Sequence, residues 1–243
     1  MKNFLGILGI QVIFLVGCMH KPAATVGLVE LKVQFFDGKT LPALNPVFTN
    51  RIKMWFKDSL SIQEHVTVHS NTEHGKTTEW LVSTAYTYID PRSHLFYLYK
   101  TFSDTASLIK RSKGGDSTFV DDAWNFYAPE DEQYLDSPQV LADTLINEIS
   151  HKRIKYNTID RLSDRKYTDI AYFRCDKKGA LIFFNKNMSK KIGCPMFRID
   201  YLPFDKNENP YTESLDFLRD SLTAEEIKVF NAWEKNAKAD RHN

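Results

Sequence analysis

Leu28-Val29-Glu30-Leu31-Lys32-Val33-Gln34-Phe35-Phe36 alternates apolar and polar residues and runs straight into Asp37-Gly38. Leu31, Val33 and Phe35 occupy every second position against Glu30, Lys32 and Gln34. Successive side chains of a strand point to opposite faces, so this is the period of a half-buried strand. Asp-Gly is suited to the reversal that follows. Outward from this stretch the pattern repeats. Arg51 to Phe56 sets Ile52, Met54 and Phe56 against Arg51, Lys53 and Trp55, and Glu64 to His69 carries Val66 and Val68 before a loop at Ser70 to Gly75. Trp80 to Ile89 reads as a strand ended by Asp90-Pro91, with Leu95 to Phe102 as its aromatic partner. Ser107 to Arg111 leads to a hairpin tip at Lys113-Gly114-Gly115-Asp116, Thr118 to Val120 returns, and Trp124 to Tyr127 closes the block. Later, Tyr167 to Cys175 reads as a strand, Asp176 to Gly179 as a turn, and Ala180 to Asn185 as the returning strand.

Helical patterns are fewer. Ser137-Pro138 offers a cap and a first-turn proline, and Val140, Leu141, Leu145, Ile146 and Ile149 make one stripe, predicting a helix over 138–150. Thr223 and Glu226 form a capping box, with Leu222 and Ile227 placed as its staple, ahead of Ile227, Phe230 and Trp233 on one side of a helix over 224–238. Tyr211 to Asp220 reads as a further turn or two of helix. The expected fold is α+β: a mostly antiparallel, curved or partly closed sheet with a few packing helices, one of them C-terminal.

Composition narrows the function. Hydrophobic residues make up 42% of the 243-residue chain and aromatics 13%, enough for a sizeable core. With 17 Phe and 11 Tyr against only 10 Gly, aromatic-lined sheets are favoured over a Gly-rich nucleotide-binding fold. The formal charge of +1 provides no global field to recruit nucleic acid. Two local basic clusters, Lys110 with Arg111 and Lys113, and Lys186 with Lys190 and Lys191, read as solvated hairpin tips.

Chemistry-bearing patterns are sparse. There is no Gly-x-Ser-x-Gly elbow, no phosphate-cradling glycine loop and no Cys-x-x-Cys. His65, His69 and His74 cluster with Glu64 and Glu73, but Val66-Thr67-Val68 favours a strand, where positions four apart are separated by ~13 Å. That is too far to share an ion held at ~2 Å. Asp121-Asp122 would point to opposite faces of a strand, and Glu130-Asp131-Glu132 follows Pro129 in a solvated loop. No catalytic, cofactor-binding or metal-binding residue is assigned. Tyr86, Tyr88, Tyr97 and Tyr99 lie on two paired strands and, if left uncovered, would form an aromatic face for an apolar, peptide or glycan ligand; core filling is the competing reading.

The N-terminus carries Lys2, an apolar run from Phe4 to Val16, and Leu15-Val16-Gly17-Cys18. The run is shorter than the roughly 20 residues of a spanning helix, and its parts are those of a secretory signal. Leu-Val-Gly-Cys resembles the lipobox of bacterial lipoproteins. The resemblance implies cleavage before Cys18, acylation of Cys18, and a protein held to a membrane of the cell envelope by acyl chains. The expected layout is a signal peptide over 1–17, a lipidated tether over 18–26 and one β-rich domain over 27–243. In outline the domain is similar to periplasmic lipoprotein carriers, with no motif behind the similarity.

An exported chain permits a disulfide, and Cys175 and Cys194 are the remaining pair. A plain three-strand meander would put them ~20 Å apart, beyond the ~7 Å limit for bridging. A bridge therefore requires the 186–193 connection to fold back. Asp58-Ser59-Leu60, Asp104-Thr105-Ala106, Asp116-Ser117-Thr118, Asp143-Thr144-Leu145 and Asp220-Ser221-Leu222 each resemble the short O-glycosylation motif of exported Bacteroidota proteins. The favoured function is a non-catalytic binding or envelope-assembly lipoprotein; the alternative is a hydrolase of envelope glycans or lipids.

Overall fold

The computed structural model describes residues 26–36, 46–74, 76–90, 95–113, 134–159, 164–177, 180 and 183–241. The N-terminal segment with Cys18, the 114–133 segment with its acidic pairs, and the Asp116-Ser117-Thr118 motif lie outside the described residues.

Among these residues the chain forms an eleven-stranded sheet in which every neighbouring pair is antiparallel. The strands are β1 (Val26–Phe36), β2 (Pro46–Lys57), β3 (Leu60–Glu73), β4 (Lys76–Asp90), β5 (Leu95–Tyr99) and β6 (Leu108–Lys113), then β7 (Gln139–Ile146), β8 (Ile149–Ile159), β9 (Lys166–Phe173), β10 (Met196–Pro203) and β11 (Tyr211–Arg219). Their order is β6-β5-β4-β3-β2-β1-β11-β10-β9-β8-β7. The chain thus walks outward from β1 to one edge and returns inward from the other edge to β11, so each half is a meander in which consecutive strands are neighbours. The sheet is open, with β6 and β7 as its edges, so of the expected curved or partly closed arrangements the partial closure is not formed. Two helices accompany it among the described residues, α1 (Lys186–Ile192) and α2 (Ala224–Arg241).

The period-two segments are strands as expected, but two predicted helices are not helical. Residues 138–150 form β7, a turn and the start of β8, and 211–219 form β11. The turn is Asn147-Glu148, with φ of 49° and 65°. Two successive positive φ values make the mirror-image hairpin turn that matches strand twist, and asparagine tolerates that conformation well. The apolar stripe read there does not form a buried face, since Val140 is 80% exposed and Leu145 71%.

The connection after β9 differs too. Phe184 makes only an isolated bridge to Met196, and 186–192 coil into α1. Asn185 caps α1 by accepting from the Met188 amide at 2.8 Å, and Gly193 ends it at φ 75°, a left-handed conformation glycine adopts without strain. This helix folds the connection back, and Cys175 and Cys194 are bonded with their Cα atoms 4.7 Å apart. Lys186, Lys190 and Lys191 accordingly lie on α1 and not at a hairpin tip.

The two faces of the sheet hold separate cores. Val29 and Leu31 of β1, Met54 and Phe56 of β2, Leu215 of β11, Ile199 of β10, Ala171 and Phe173 of β9 and Ile154 and Tyr156 of β8 pack with Met188 of α1 on one face. On the other, Leu28, Trp55, Ile62, Tyr88, Tyr97 and Tyr99 receive Val229, Phe230, Trp233 and Ala237 of α2. The predicted capping box at the start of α2 forms in both directions: the Thr223 amide donates to Glu226 at 2.7 Å, and the Glu226 amide donates to the Thr223 hydroxyl at 3.2 Å. Glu226 also accepts from Trp55 Nε1 at 2.7 Å and Arg219 at 2.5 Å, tying the helix to β2 and β11. Burial works against its charge, but the Thr223 amide, Arg219 and Trp55 together hold its carboxyl below the ordinary value.

Candidate functional site: a charged cleft across the sheet

The aromatic face read from the sequence is filled by the chain itself. Tyr86 pairs with Tyr99 and Tyr88 with Tyr97 across β4 and β5, and Tyr88, Tyr97 and Tyr99 are fully buried under α2, while Tyr86 is half-buried. The three histidines are spread along the β3–β4 hairpin. His65 lies 2.5 Å from the Thr87 hydroxyl, His69 stacks on Trp80, and His74 occupies the tip. Among the described residues no group of three His, Cys, Asp or Glu could hold a metal ion. Of the Asp-Ser/Thr motifs, Ser59 and Ser221 lie in connections, Thr105 in an exposed turn and Thr144 within β7.

A different constellation emerges from strand register. Arg51 of β2 is opposite Lys32 of β1, and Lys32 is opposite Ser214 of β11. Ser214 is opposite Arg198 of β10, Arg198 is opposite Tyr172 of β9, and Tyr172 is opposite Arg153 of β8. Residues directly opposite in an antiparallel pair share a face. These six side chains therefore rise in one row from the face that α2 also occupies, because Trp55 and Arg51 are four apart on β2.

Most of this row lines a cleft of about 240 Å³ with Gln34, His151, Arg174, Phe197 and Asp216; Ile146, Asn147 and Ile149 from the β7–β8 hairpin form one wall. A second cleft, about 260 Å³ between β7 and α1, is mostly apolar, with Val140, Ile154, Met188 and Ile192 among its lining.

Three of the four cations that line the charged cleft, Lys32, Arg174 and Arg198, are held by partners. Arg198 Nε donates to Asp200 at 2.7 Å, and its guanidinium lies 5.1 Å from the centre of the Tyr172 ring. Arg174 makes a two-pronged pair with Asp176, at 2.6 and 3.2 Å, and lies 5.7 Å over Phe197. Lys32 donates to Asp216 and sits 3.6 Å from Glu30. Arg51 is exposed and forms no ion pair among the described residues. His151 is buried, and its Nδ1 donates to the Ile149 carbonyl at 2.8 Å, which leaves Nε2 as an acceptor when the ring is neutral. Burial first, with Arg174 and Arg198 adding to it, lowers its pKa below the ordinary 6.5.

That shift has a sign. Above the ordinary histidine range His151 is neutral folded and unfolded and contributes nothing. As pH falls below 6.5, the unfolded chain takes the proton first, so stability drops until the folded value is passed. The urea midpoint should fall on acidification through this window, and His151→Gln should flatten that part of the profile. An unchanged profile in the variant would remove His151 as a cause.

Sequence reading missed this site because Lys32, Arg51 and Arg198 sit on polar positions of half-buried strands, where solvation explains them, and Arg174 sits in the connection after β9. Alignment in one row depends on long-range register, which single strands do not encode. Compared with known proteins, the chain matches no family model and no curated sequence.

Proposed function

We propose that this chain is a membrane-anchored lipoprotein of the bacterial cell envelope, acylated at Cys18, whose domain binds a ligand without transforming it. The observation that supports the binding role is the cross-sheet row from Arg51 to Arg153 over a cleft in which Lys32, Arg174 and Arg198 are oriented by carboxylate partners. Binding sites gain affinity when polar groups are fixed before the ligand arrives. The hydrolase alternative would draw on Glu30 and Asp216, opposed across β1 and β11. Both are partners of Lys32, and a glycosidase needs one carboxyl free to donate a proton.

The anchor is tested by feeding cells a clickable fatty acid. The wild-type chain should be labelled and sediment with membranes, while Cys18→Ala should be unlabelled and released, because acyl chains supply the membrane affinity. Label persisting on the Cys18→Ala chain would refute acylation at this residue.

A further inference from the structure

Resting on the binding reading, we propose that the charged cleft recognises a sugar acid: a saccharide unit bearing a carboxylate, with hydroxyls around it. Three features of the cleft carry the argument.

The first is the cation row. Arg51 and Lys32 stand directly opposite each other on β2 and β1, where like charges repel. Lys32 is answered by Asp216 and Glu30, but Arg51 has no carboxylate among the described residues. Across Ser214, Arg198 closes the row. With strands ~4.8 Å apart, Lys32 and Arg198 straddle Ser214 at roughly 10 Å, so an anionic group above the Ser214 hydroxyl meets cations from both sides. Arg198 spends Nε on Asp200, and its terminal nitrogens remain for a planar, two-oxygen acceptor.

The second is the mixture of lining groups. A bare phosphate asks for donors alone. Here Asp216, Gln34, Asn147 and the Nε2 of His151 add acceptors and amides around the cations. Hydroxyls both donate and accept, so acceptors such as Asp216 and amides such as Gln34 can hold the hydroxyls that surround a sugar's carboxylate. The third is size: about 240 Å³ on an open sheet face holds one sugar-sized unit and leaves its neighbours outside. The cleft thus fits a single acidic residue within a glycan.

The test uses the purified full-length chain in detergent with three probes: trigalacturonate, the uncharged trisaccharide maltotriose, and inorganic phosphate. Calorimetry should show trigalacturonate binding, with maltotriose and phosphate each at least about tenfold weaker. Arg51→Gln and Arg198→Gln should each weaken trigalacturonate by about tenfold or more, the scale of one charge-assisted hydrogen bond. Arg51 is exposed and unbraced, so its substitution leaves the fold intact and keeps the test clean. If maltotriose or phosphate binds as well as trigalacturonate and responds to Arg51→Gln, the cleft is a binding site and the sugar-acid assignment falls. Trigalacturonate binding that ignores both substitutions also overturns it. If no probe binds, the sugar-acid assignment falls, whereas the binding reading falls only if ligands of further classes also show no binding that Arg51→Gln affects.

Discussion

Trp233→Ala is expected to cost the domain about 3–5 kcal/mol, the range for emptying a buried tryptophan site. The indole is fully buried, stacks on Tyr99 at 3.9 Å with planes 7° apart, and presents edges to Tyr88 and Phe102 at 6.5 and 6.1 Å. Its Nε1 donates to the Ser103 carbonyl at 3.0 Å, so one side chain joins α2 to β4, β5 and the loop after β5. Truncation removes dispersion contacts with three rings, deletes one hydrogen bond and opens a cavity between α2 and the sheet face it packs on. For a chain of this length that corresponds to a melting point lower by on the order of 10 °C. Ile227→Ala on the same helix, at a residue 40% exposed, is the control and should change stability by less than about 1 kcal/mol. Equal effects from the two substitutions would mean that α2 is loosely attached and that the second core is not organised around Trp233.

The helix bearing Trp233 was legible because its signals are local. Thr223 and Glu226 are three residues apart, and the apolar positions of α2 repeat within a few turns. Ile227 was misplaced: the buried side runs through Val229, Phe230, Trp233 and Ala237 instead. The strands were legible for a similar reason, since alternation of period two needs only a few residues to register. Residues 138–150 defeated the same logic. Val140, Leu141, Leu145, Ile146 and Ile149 fit a helical stripe and, split by a turn, also fit two strands. The turn at Asn147-Glu148 decides between them, and its signal is the positive-φ tolerance of one asparagine. In α1 the bracket of Asn185 and Gly193 was present in the sequence, but seven lysine-rich residues between them carry too little periodicity to outweigh a loop reading. The cleft is illegible for a deeper reason: Arg51, Lys32, Ser214 and Arg198 are scattered between positions 32 and 214 and meet only through three separate registers. β1 and β11 lie at opposite ends of the strand sequence yet pair, and no local segment of the chain foretells which residue of one opposes which of the other.

Asp200→Ala is expected to cost a further large amount, about 3–5 kcal/mol, by a different mechanism. Asp200 is 2% exposed and accepts from Tyr172 Oη at 2.7 Å, Thr212 Oγ1 at 2.9 Å and Arg198 Nε at 2.7 Å. Burial, then the Asp200 charge, hold the Tyr172 hydroxyl well above its ordinary pKa, so it remains a donor. Removing the carboxylate leaves two hydroxyls and a guanidinium edge without their acceptor inside the sheet, and the unmade bonds, not the lost charge, set the size of the effect. Thr212→Val removes one of the three bonds and should cost about 1 kcal/mol, and Asp200→Asn should fall between. Urea unfolding of the three variants orders them, and a loss below about 1 kcal/mol for Asp200→Ala would show that water replaces the carboxylate at no penalty. The same residue links core to cleft, since it fixes Arg198 beside Tyr172. Asp200→Asn should therefore weaken trigalacturonate binding even where the fold survives, and combined with Arg198→Gln it should add little, because both changes act on one guanidinium.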